Sequence, residues 1–363
     1  MPDFLLGHFI TLDPWIMLQV VILGFVGGIL SGFIGSGGAF FMTPGMMNLG
    51  VPGNIAVATN ITHKFGKAMV GARRHGEMGH VDKKLAIYTL ITAAAGISLA
   101  AWLMQLTGAV GKGGHKGAGA DLYISIVFIV VLSFVSISMF RDILRSRQEE
   151  DGKPSTAIVD FLGRLPLHPL IHFPVADVKV SLWVILLCGL ATGYLAGTIG
   201  VGGFIGVPAM IYVYGVSAQV AAGSELFLAQ FMGLWGAMNY GFRGMVDIRL
   251  VLLLYLGSLL GIHLGAYGTK VVREVIIRLV TSSIIILCVI SRAINMPVYL
   301  RQLGWLGYDP SLDYYFNLGS KVLLYTSGLT GCLIIMYFVF RAYFQRRKVQ
   351  ASLVMDRRTS ASM

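Results

Sequence analysis

Gly28-Ile29-Leu30-Ser31-Gly32-Phe33-Ile34-Gly35-Ser36-Gly37-Gly38 returns 165 residues later as Gly193-Tyr194-Leu195-Ala196-Gly197-Thr198-Ile199-Gly200-Val201-Gly202-Gly203. The register then holds without a gap as far as Gly96 on Gly261. It sets Gly50-Val51 on Gly215-Val216, Gly71 on Gly236, and Gly79-x-Val81-Asp82 on Gly244-x-Val246-Asp247. Solenoid repeats run roughly 20–50 residues, so this period is too long for one. A glycine-broken segment at matching places in two apolar halves points instead to a transporter with its binding site between the repeats.

The chain is 363 residues long, 56% hydrophobic and 12% charged, with a mean hydropathy of +0.75. Soluble domains carry about 25% charged residues, so the composition is that of an integral membrane protein, and the apolar spans below make it an expected all-α polytopic one. A net charge of +11 could suit nucleic acid, but the charge lies in short runs between apolar segments. Positive-inside topology explains that pattern better. Cys188, Cys288 and Cys332 fall in apolar stretches without pairing or metal spacing and are expected to be small core residues. The N-terminus lacks a basic n-region, so no cleavable signal peptide is expected.

Crossing about 30 Å of hydrocarbon takes about 20 apolar residues. Full spans are expected at roughly 54–74, 85–106, 122–140, 219–241, 250–269, 274–294 and 321–340. The stretches 15–50 and 180–215 are apolar but broken, and only about a dozen residues follow each break (Ala39 to Leu49, Phe204 to Tyr214). Each is therefore expected to be a re-entrant hairpin with a half-length return helix. With the N-terminus outside, 19 Lys and Arg fall in inside segments and 6 in outside ones, Arg243 and Arg292 among the latter. That is the required bias.

One unit then holds a hairpin plus about three crossings, an odd number, which makes the second copy inverted. The expected organisation is an N-terminal transmembrane repeat at 15–141, a cytoplasmic connector at 142–178 and an inverted C-terminal repeat at 179–294. An outer loop at 295–320, an extra transmembrane helix at 321–344 and a basic cytoplasmic tail at 345–363 complete it.

Within this frame the glycine breaks are the first candidates for chemistry. A helix starting just after Ser36-Gly37-Gly38, or after Gly202-Gly203, aims free N–H groups and its positive dipole end at the break. Such an end accepts an anion, although glycine runs also serve tight helix packing. The second candidates are polar side chains in the spans after the breaks. Thr59, Asn60, His63 and Lys67 share one face of 54–74. Ser224 and Glu225 occupy the positions equivalent to Thr59 and Asn60. Such groups are costly in hydrocarbon and normally face a cavity or a partner.

Thr59, Asn60, Ser224 and Lys67 are expected to hold an anion, with His63 and Glu225 gating or coupling protons. Lys64 and Lys67 could also snorkel to the inner interface, and His63 could simply pack. Glu225 could also be the ion-pair partner of Lys64 or Lys67. There is no Walker loop, no Ser/His/Asp arrangement and no metal spacing, so neither enzyme chemistry nor a cofactor is expected.

The Gly28–Gly38 segment followed by Thr43-Pro44, the Gly50-Val51-Pro52 turn, Thr59-Asn60 and Gly79-x-Val81-Asp82 resemble the TauE/SafE sulfite-exporter (TSUP) family. The second copy repeats the pattern with Val207-Pro208, Gly215-Val216-Ser217, Ser224 and Gly244-x-Val246-Asp247. The resemblance covers roughly 20–103 and 185–270. It implies a permease for a small sulfur-containing anion such as sulfite, an organosulfonate or thiosulfate, in a bacterial or archaeal inner membrane. An anion channel, or a permease for other organic acids, is the alternative. The expected partners are the anion and the lipid bilayer, with no nucleic acid, and a homodimer is left open.

Overall fold

The protein, described here by a computed structural model covering residues 12–34, 38–109, 117–146, 159, 168–200, 202–272 and 274–360, shows in its turns that the duplication is structural. Gly50 and its equivalent Gly215 both take positive φ (89° and 77°), as do Gly79 and Gly244 (73° and 67°). A left-handed residue at each of these turns suits glycine, which has no Cβ to clash. Asp82 and Asp247 then cap the next helix in each half, accepting from the N–H of Leu85 and Arg249 at 3.0 Å each.

The first copy forms α1 (Pro14–Ile34), α2 (Ala39–Asn48), α3 (Gly53–Glu77), α4 (Lys83–Gly108) and α5 (Ala118–Ser146). A short antiparallel hairpin, β1 (Leu170–Phe173) and β2 (Val178–Ser181), leads into the second. That copy forms α6 (Leu182–Ile199), α7 (Gly203–Tyr212), α8 (Ala218–Phe242), α9 (Ile248–Val271) and α10 (Glu274–Gln302). A last helix, α11 (Leu312–Ser360), runs for 49 residues.

Exchanging the two copies maps the packing onto itself. The main partners are α1 with α9, α6 with α4, α3 with α8, and α5 with α10. The close approaches recur in the same register. An ideal Cβ on Gly24 would stand 2.6 Å from the Leu254 carbonyl oxygen, and one on Gly189 2.6 Å from that of Thr89. Glycine there lets backbone meet backbone. Gly24→Val and Gly189→Val are each expected to lower stability by about 1–3 kcal/mol through overpacking, read as the unfolding midpoint in detergent. A large cost at one site and none at the other would mean that only one half is closed this way.

Seven of the helices (α1, α4, α5, α6, α9, α10 and α11) are long and apolar enough to cross a membrane. The two that fall short of that apolarity, α3 and α8, have 25 residues each and pack on one another. Of the four main helix pairs that join the copies, polar content is thus concentrated in α3–α8.

Three stretches differ from the sequence expectation. Residues 295–320 are mostly helical, because α10 continues through Pro297 to Gln302 and α11 starts at Leu312. Neighbouring helices in a membrane bundle make up for a proline's lost hydrogen bond. The extra helix expected at 321–344 is the middle of the longer α11. Within 142–178, α5 extends to Ser146 and the hairpin begins at Leu170. The hairpin turn is tied to α4, since Asp82 Oδ2 accepts from the N–H groups of Val175 and Ala176 at 3.1 and 3.0 Å.

Candidate functional site

Helix α2 is capped by Gly38, starts at Ala39 and doubles back along α1, so that Gly27 lies under Met42 and Gly45 beside Leu23. This return carries Thr43 to the end of α6. The Thr43 hydroxyl donates to the Ile199 carbonyl oxygen at 3.1 Å, and Asn60 Nδ2 donates to Thr43 Oγ1 at 2.7 Å. The next residue, Gly200, ends α6 with φ +77°. A Cβ there would lie 2.9 Å from Asn60 Nδ2. The first copy's Asn60 therefore sits at the second copy's break, fully buried.

One turn along α3, Lys64 faces the same break. Its Nζ stands 3.9 Å from Glu225 Oε1, across the interface between α3 and α8. The break glycines make room for both side chains. A Cβ on Gly202 would fall 2.7 Å from Lys64 Nζ and 3.5 Å from Glu225 Oε1, and one on Gly206 2.7 Å from Glu225 Cδ. Gly202 caps α7 without a side-chain hydrogen bond, and α7 begins at Gly203. The Glu225 carboxylate thus lies along the first turn of α7, where a helix favours negative charge.

At 3.9 Å the pair attracts without a hydrogen bond. Lys64 Nζ and both Glu225 oxygens are buried and have no hydrogen-bond partner among the described residues. Buried polar groups are nearly always paired, so this cluster has unused capacity for a polar ligand.

The other expected site residues separate. The Ser224 hydroxyl accepts from the Asp82 N–H at 2.9 Å, which ties it to the cap of α4 and the hairpin turn. The Thr59 hydroxyl is buried with no partner among the described residues. His63 turns to α9, with Nε2 2.7 Å from Ser258 Oγ and its ring centroid 4.6 Å from that of Tyr255. Lys67, half-buried one turn beyond His63, makes no ion pair among the described residues. Gly38, Gly202 and Gly203 are buried at the starts of α2 and α7. Ser36 and Gly37 lie outside the described residues, as does Val201.

The face of α3 at the break is therefore Asn60 and Lys64, four residues apart, while the other stripe runs to α9. Sequence reasoning left Thr43, Ser258 and Tyr255 unassigned. A threonine in the short apolar α2, five residues after Gly38, was the available signal for Thr43.

Arg292, counted in the sequence with the outer segments, lies inside the bundle and is the largest fully buried side chain among the described residues. Its guanidinium donates to Asn48 Oδ1 at the end of α2, to Ser320 Oγ of α11 at 3.0 Å and to the Tyr299 hydroxyl at 3.3 Å. Ser320 also donates to Asn48 Oδ1 at 3.2 Å. Helix α2 is thus pinned by Arg292 at its C-terminal end while Thr43 in its middle touches the break.

The family model described as Sulfite exporter TauE/SafE matches residues 20–292, both copies of the duplication. Among curated proteins, the chain is 26% identical over 252 residues to the probable membrane transporter protein YjnA of Bacillus subtilis (strain 168), covering 69% of this chain and 89% of that one. It is 22% identical over 264 residues to the probable membrane transporter protein YdhB of the same organism, covering 72% and 94%. A third probable membrane transporter protein of that organism, YunE, is 21% identical over 256 residues, covering 68% and 86%. No solved structure matches.

Proposed function

The chain belongs to the TauE/SafE sulfite-exporter family and is a membrane transporter, and on that premise we propose that it moves a small sulfur-containing oxyanion through the glycine break between its two copies. The observation that carries this reading is the meeting of Asn60, Lys64 and Glu225 at Gly200 and Gly202, where Lys64 Nζ and both Glu225 oxygens have no hydrogen-bond partner among the described residues. Lys64 supplies positive charge, the first turn of α7 supplies backbone N–H groups, and the Asn60 amide, oriented by Thr43, supplies a neutral donor. Lys67 adds a second positive charge one turn along, and Ser36, Gly37 and Gly38 supply the equivalent helix start in the first copy. The unpartnered Thr59 hydroxyl fits a ligand better than Ser224, whose hydroxyl is already engaged.

In this reading the two copies are inverted across an inner membrane, with α1–α2 and α6–α7 as re-entrant hairpins. The N-terminus is outside and the C-terminus inside. The self-mapping helix pairs and the basic-residue bias support that arrangement. Asn60 and Glu225 are 1% and 2% exposed, which suits an occluded carrier that opens to each side in turn better than an open channel. Glu225 and His63 gate or couple the step.

The test is uptake and efflux of sulfite, thiosulfate, sulfoacetate and small carboxylates in reconstituted vesicles. Saturable flux with exchange between labelled sulfur anions is expected, and large unsaturable currents would favour a channel. Full flux in an Asn60→Ala, Glu225→Ala double variant would remove the site assignment.

A further inference from the structure

We infer that the Glu225 carboxylate is a tethered stand-in for the transported anion: it occupies the anion's place against Lys64 and the first turn of α7, and the incoming anion has to displace it. This rests on the anion reading of the same break. A carboxylate and a small oxyanion present the same kind of charged oxygen to the same donors. The position Glu225 takes, beside Gly202 and Gly206 and 3.9 Å from Lys64 Nζ, is where an anion held by that lysine and that helix end would sit.

Three features separate this from an ordinary ion pair. The two charged groups do not hydrogen-bond each other, and neither hydrogen-bonds any other described group. The carboxylate lies beside the cap glycine Gly202 and the helix glycine Gly206, where a Cβ would crowd Lys64 Nζ or the carboxylate itself. The equivalent residue in the first copy is the neutral Asn60, engaged with Thr43, so only one copy carries a built-in anion. Two anions cannot share one lysine in a low-dielectric interior without strong repulsion. Displacement of the carboxylate by substrate therefore changes which charge bridges α3 and α8. That links occupancy of the site to the contact between the copies.

The test is sulfite binding to the purified full-length protein, comparing wild type with Glu225→Gln and Glu225→Asp. Glutamine keeps the shape and removes the competing charge. If the carboxylate fills the site in about nine-tenths of unliganded molecules, sulfite affinity rises about tenfold in Glu225→Gln. Aspartate keeps the charge but withdraws it by one methylene, so Glu225→Asp tightens binding by a smaller factor than Glu225→Gln. It serves as the second probe should the glutamine variant fail to fold.

Binding unchanged or weakened in a folded variant, with wild type still binding sulfite, would overturn the competition and leave the transport reading standing. No sulfite binding by any of the three would overturn both.

Discussion

Lys64→Met is expected to destabilise the protein by about 3–5 kcal/mol, the scale of removing one partner from a buried ion pair. Glu225 is 2% exposed, and its nearest counter-charge is Lys64 Nζ at 3.9 Å. Methionine fills the volume of the lysine stem but leaves the carboxylate uncompensated between α3 and α8. The unfolding midpoint in detergent should fall steeply, and anion transport should be lost with it. Adding Glu225→Gln removes the stranded charge. The Lys64→Met, Glu225→Gln protein should therefore recover to within about 1 kcal/mol of wild type, since a buried pair replaced as a whole is often close to neutral. Transport should not return, because the positive charge is still missing. A Lys64→Met protein as stable as wild type would mean that the pair is not held in a low-dielectric interior.

Arg292→Met is expected to be nearly as damaging, for a different reason. The guanidinium joins three helices, with acceptors Asn48 Oδ1 on α2, Ser320 Oγ on α11 and the Tyr299 hydroxyl on α10. Leaving a buried acceptor unmet costs about 1–3 kcal/mol each, so a loss of about 3–5 kcal/mol is expected even where Ser320 and Asn48 keep each other. Lysine should not rescue it, because one ammonium cannot reproduce a planar fork that reaches several acceptors at once. Hydrogen exchange should rise along α2 before it rises in α1, since α2 loses the anchor at its C-terminal end. An Arg292→Lys protein with wild-type stability would show that the fork does not hold α2.

Parts of this arrangement are legible in the chain because they depend on glycine. Backbone approaches such as Gly24 to Leu254 and Gly189 to Thr89 leave no room for a Cβ unless the neighbour shifts, so they show as matching glycines at a fixed spacing. The position of Glu225 opposite Asn60 follows from the same register. Helical periodicity groups residues on a face but does not say which neighbour the face meets. Thr59, Asn60, His63 and Lys67 form a sound stripe, yet His63 goes to Ser258 on α9 while Lys64 reaches Glu225.

Arg292 was hidden by a related ambiguity. An arginine at the end of an apolar run followed by a proline reads as a span boundary. Only the continuation of α10 through Pro297 to Gln302, with α2 and α11 supplying acceptors, places it in the interior.

The length of α11 sets up a lever. At 1.5 Å per residue its 49 residues extend about 73 Å, against about 30 Å of hydrocarbon. Its apolar part ends at Arg341, so residues 342–360 continue as a rod about 28 Å long in the same helix. A tilt of about 10° at the base, if the rod stays straight, moves its tip by about 5 Å. Because α11 packs on α1, α2, α9 and α10, a shift of those helices that tilted α11 would be amplified at its tip. A spectroscopic label there would turn the bundle's internal motion into a displacement that can be followed from solution.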